Sequence, residues 1–169
     1  IPSSATVLVT IGVILASAWS AMLVLFVGGE ILSDPGGIVG AGYVAAWLAG
    51  PLLLVLLALL RPRVAYLVLV AVVGLILIAT AATIPFAQAV WEFEDTHGPI
   101  NLLVLVGALI PLIALGRALP WQAGGLMVAT LAGTLVLQGI SLGLIGQRSV
   151  ILVFGFLAPP FIAAAVILV

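Results

Sequence analysis

Six long apolar runs, parted by short polar stretches, make up nearly the whole chain. They cover residues 5–27, 38–60, 64–90, 100–115, 124–145 and 150–169. A bilayer core takes roughly 20 apolar residues per helical span. Spanning strands would alternate apolar and polar residues, and these runs are apolar throughout. A buried helix of a soluble domain would keep a polar face, and these keep none. The expected fold is therefore all-α: a polytopic integral membrane bundle of about six transmembrane helices. It forms a single transmembrane domain over residues 1–169, with loops short enough for three helical hairpins.

Composition agrees. Of 169 residues, 66% are hydrophobic and 5% charged, too few polar groups to cover a soluble domain. The natural partner of such a surface is the lipid bilayer. All four basic residues are arginines, and the net charge is −1, which argues against nucleic acid. Without cysteine there is no disulfide, thiolate metal site or thiol nucleophile. A single histidine excludes a haem held by two histidines of this chain. No cofactor is expected. The first run lacks a basic segment before it and reads as a retained helix, not a signal peptide.

Charges mark the loops. Arg61 and Arg63 separate the second and third runs, and Arg117 separates the fourth and fifth. These loops fall on one side, which the positive-inside rule makes cytoplasmic, so both termini are expected in the cytoplasm. Arg148 falls on the opposite side. So do all the acids, Glu30, Asp34, Glu92, Glu94 and Asp95, together with His97. A faint repeat is visible too. Pro51, Pro111 and Pro159 mark the even-numbered runs, with Gly107 and Gly155 four residues before the second and third, and Trp47 before the first. Three hairpins, each with a kinked second helix, would give this pattern; so would chance, since proline and glycine are common in membrane helices.

No ionisable residue lies deep in any run. Proton relays and ion-coupled carriers usually place one there. Ser17, Ser20 and Ser141 have no histidine or lysine base at matching depth, so an intramembrane enzyme is not expected. The polar groups within the runs are hydroxyls and amides. Gln88, Gln138 and Ser141 are the candidate ligand-binding residues, with Thr83 and Thr134 nearby. They would line a cavity for a neutral ligand, or lock the helices together by interhelical hydrogen bonds. In either case Gln88 and Gln138 should face the bundle, because an amide facing hydrocarbon loses its partners. The densest ionisable cluster, Glu92, Glu94, Asp95 and His97, offers oxygen and nitrogen ligands to a divalent cation. It lacks the spacing of a zinc or calcium motif, so a solvated loop anchored by Trp91 is the expected reading.

Small residues recur at helical spacing: Ala41, Ala45 and Ala49; Gly139 and Gly143; Ala16 with Ser20 and Ser17 with Ala21. Such stripes let helix backbones approach, within one chain or against a second membrane protein. The chain's size, span count and first-helix stripe resemble those of the substrate-binding membrane subunits of energy-coupling-factor vitamin importers, and no site residue is carried over from them. The function expected is a non-catalytic integral membrane subunit or scaffold packing against membrane partners or against itself. The alternative is a small-solute transporter, channel or substrate-binding membrane subunit for a neutral ligand.

Overall fold

The computed structural model describes residues 4–31, 37–97, 100–144, 159–160, 162–164 and 166–168. Among them there is no strand. The helices are α1 (Ser4–Ile31), α2 (Gly37–Leu60), α3 (Pro62–Thr83), α4 (Ala87–His97), α5 (Ile100–Gly116) and α6 (Pro120–Leu144). The described residues between 159 and 168 are helical as well. Four stretches are long and apolar enough to cross a membrane: Thr6–Phe26, Gly42–Leu60, Pro62–Glu94 and Pro120–Ser141. A shorter apolar stretch, Leu103–Gly116, lies within α5. The protein is thus an all-α bundle of membrane-spanning helices. The first half of the expected sixth span, residues 150–158, and Arg148 lie outside the described residues.

Local chemistry accounts for the helix boundaries. Pro62 and Pro120 open α3 and α6, where the missing N–H costs nothing and the fixed φ suits a first turn. The third span departs from expectation. Its apolar run ends at Val90, where a loop is expected, but the chain runs on as helix to His97 through a 3-10 turn at Ile84–Phe86. Pro85 cannot donate to the carbonyl of Ala81, so the N–H of Ile84 takes that carbonyl one residue early. The N–H of Ala87 then bonds the carbonyl of Ile84, and α4 starts. Inside α4, the Gln88 Nε2 donates to Glu92 Oε1 at 2.9 Å, one helical turn ahead.

Helix α5 sits at the centre. It packs against α1, α2, α3 and α6, and Leu105, Val106, Leu109, Leu112 and Leu115 are all but sealed. Leu69 of α3, Met127 and Leu131 of α6, and Ala163 and Ile167 complete the core. In lipid no hydrophobic force draws these helices together, so close packing has to hold them. Two glycines show how. A Cβ on Gly107 would lie 3.3 Å from Pro51 Cγ and 3.5 Å from Trp47 Nε1, so α5 lies close against α2 at the two positions that the proline spacing aligned. A Cβ on Gly12 would lie 3.3 Å from both the carbonyl oxygen of Ala163 and the nitrogen of Ile167. Helix α1 therefore meets the C-terminal segment almost backbone to backbone.

The small-residue stripes divide. Ala16 and Ser20 are buried, whereas Ser17 and Ala21 on the same helix are exposed. Ala45 and Ala49 face outward with Gly42, Ala46 and Gly50. Gly139 and Gly143 are exposed too, and a Cβ at either would have nothing within 4 Å.

Candidate functional site

The candidate site lies where the ends of α3 and α6 meet the start of α5. On α3, Ile76, Thr80 and Thr83 fall on one face by their spacing of four and three. Thr134 and Gln138 do the same on α6, and Asn101 and Val104 on α5. Together with Leu75 and Ala79 they line a cavity of about 290 Å³. That is near the lower end of ligand-pocket volumes, roughly 300–1,000 Å³.

Its hydrogen-bonding character follows from what each side chain already does. The hydroxyl of Thr80 donates to the carbonyl of Ile76 at 2.8 Å, and that of Thr83 to the carbonyl of Thr80 at 2.7 Å. The hydroxyl of Thr134 donates to the carbonyl of Thr130 at 2.7 Å, with that of Leu131 at 3.1 Å. Each hydroxyl proton is therefore committed to its own helix, and the oxygen keeps capacity to accept. The amide side chains of Asn101 and Gln138 have no hydrogen bond among the described residues. Each brings two N–H donors and a carbonyl acceptor. No lining residue carries a charge.

The expected ligand residues part company here. Gln138 lines the cavity, as its place beside Thr134 implied. Ser141 is half-buried and stands outside the lining. Gln88 does not face the bundle: it is exposed, and its amide is occupied by Glu92. The one-turn spacing gives Gln88 a partner on its own helix, so it has no need of an interhelical one. Thr80 and Asn101 were not among the expected site residues. The signal available for Thr80 was its spacing from Thr83, which puts both hydroxyls on one face of α3.

The acidic cluster has structural work to do. Glu94 Oε1 accepts the backbone N–H of Asn101 at 2.8 Å, so a carboxylate at the end of α4 caps the first turn of α5. Glu92 takes the Gln88 amide. The side chains of Asp95 and His97 lie outside the described residues. Among the described residues no three histidine, aspartate or glutamate side chains converge on a possible metal position.

No family model, no curated protein and no solved structure matches the chain. The likeness to vitamin-importer subunits therefore rests on size, span count and one small-residue stripe.

Proposed function

We propose that this protein binds a small, neutral, polar solute within the membrane, as a solute carrier or as the substrate-binding subunit of one. The observation that supports this is the uncharged cavity between α3, α5 and α6, where the amides of Gln138 and Asn101 stand among threonine oxygens. A cavity whose lining offers donors and acceptors but no charge suits a ligand that also carries both, such as an amide or a polyol. Nothing in its lining is a general acid or base, so the reading is binding without chemistry. The test is thermal stabilisation of the detergent-purified protein by a panel of small neutral amides and polyols. Gln138→Leu should weaken the best binder about five- to tenfold, the loss of one or two hydrogen bonds. Equal binding by the variant and the parent would remove the site.

A second reading, a membrane subunit that docks on a partner, is favoured by the outward small-residue face of α2, which lies on no helix among the described residues. Both readings place the arginine-bearing turns, at Arg61, Arg63 and Arg117, on the cytoplasmic side. An impermeant thiol reagent applied outside should then label a cysteine put at Thr96 and spare one at Ala118. Labelling of Ala118 alone would invert the bundle.

A further inference from the structure

At the opposite end from the solute cavity, a second and larger hollow of about 620 Å³ opens between α1, the α5–α6 turn and the C-terminal segment. Its lining changes character with depth. At the rim stand Thr6, Val9 and Thr10 on α1, with Arg117 on the turn into α6 and Pro120 and Trp121 at its start. Further along α1 come Val13 and Ile14, backed by Ile167. From Thr6 to Ile14 the helix climbs about 12 Å, enough to pass from the headgroup layer into hydrocarbon.

Arg117 is exposed and makes no ion pair among the described residues. Beside it, the N–H groups of Trp121 and Gln122 in the first turn of α6 have no backbone acceptor among the described residues, whereas that of Ala123 bonds the carbonyl of Leu119. A guanidinium and the open first turn of a helix both favour a phosphate oxygen. Trp121, largely exposed, is the residue type that sits at a headgroup boundary. A free anion would satisfy the rim and leave the apolar wall unused. An anionic phospholipid satisfies both, with its phosphate at Arg117 and an acyl chain along Val13 and Ile14.

We infer that this hollow is a binding site for an anionic phospholipid, read by its phosphate group at Arg117 and distinct from the solute cavity. The experiment reconstitutes the full chain in nanodiscs holding both phosphatidylglycerol and phosphatidylcholine, extracts it in mild detergent, and weighs retained lipid by native mass spectrometry. The expected result is retained phosphatidylglycerol in preference to phosphatidylcholine. Arg117→Gln should lower that retention about tenfold, the loss of one charge-assisted contact. Arg117→Lys should restore part of it, and Arg61→Gln, on the neighbouring turn, should leave it unchanged. Because Arg117 is exposed, its replacement spares the core. Equal retention by Arg117→Gln and the parent overturns the site. Displacement of the lipid by millimolar inorganic phosphate overturns the lipid reading in favour of a simple anion site.

Discussion

Helices α5 and α2 are close relatives in sequence and opposites in place. Each is apolar along most of its length, and each carries one proline in its interior. Yet α5 is buried at almost every position from Leu105 to Ile113, while α2 has Ala58 as its one sealed residue among those described. In water the more apolar helix would go inside. In lipid both are equally at home on the outside, so apolarity cannot choose between them. Small residues do not choose either, since those of α2 from Gly42 to Gly50 face outward. What singles out α5 is fit: it meets α1, α2, α3 and α6, and its Gly107 admits the Trp47–Pro51 face of α2.

The comparison can be broken most directly by cutting a large side chain from each helix. Leu112→Ala leaves a hole in a fully buried site, and should cost roughly 2–5 kcal/mol. Leu53→Ala, on an exposed position of α2, should cost less than about 0.5 kcal/mol. Reversible unfolding in mixed detergent micelles measures both. If the two variants lost equal stability, α5 would not be the centre of the bundle.

A smaller effect sharpens the same contrast by adding bulk. Gly107→Val presses on Pro51 and Trp47, and should cost roughly 1–3 kcal/mol. Gly50→Val meets open space and should leave the isolated chain's stability within about 0.5 kcal/mol. If α2 is a docking face, that same Gly50→Val should remove a stoichiometric partner from a mild-detergent purification without lowering the melting temperature. A partner retained by Gly50→Val would place the docking face elsewhere.

Much of the fold was legible because charge and turn residues are so scarce that each one marks a boundary. Arg61-Pro62-Arg63 and Arg117 to Pro120 fall at the ends of helices as expected. The cavity was legible in part. Gln138 and Thr134 share a helical face, and an amide at that depth has to find a polar environment. The rest depended on distances along the chain that no local pattern carries. Asn101 enters the site at the start of α5, where its backbone N–H is held by Glu94 of α4, a contact spanning seven residues between two helices. Pro85 was visible, but inside an apolar run it looks like any tolerated membrane proline. That it would shift one hydrogen bond and let the helix continue to His97 is set by backbone geometry at Ile84–Phe86, which the local pattern does not show. The Gly139 and Gly143 pair had the spacing of a packing motif, and among the described residues it has none of the contacts.

The close meeting of Gly12 with Ala163 and Ile167 also bears on the order of events while the chain is made. A ribosome adding about 5–20 residues per second needs roughly 8–30 s to supply the about 150 residues between them. For that interval α1 is in the bilayer with its narrowest face uncovered, long after α2 and α3 have been threaded. The contact of Gly12 with Ala163 and Ile167 thus forms after the helices between them are in the membrane, so a side chain at residue 12 would act late in the packing of the bundle.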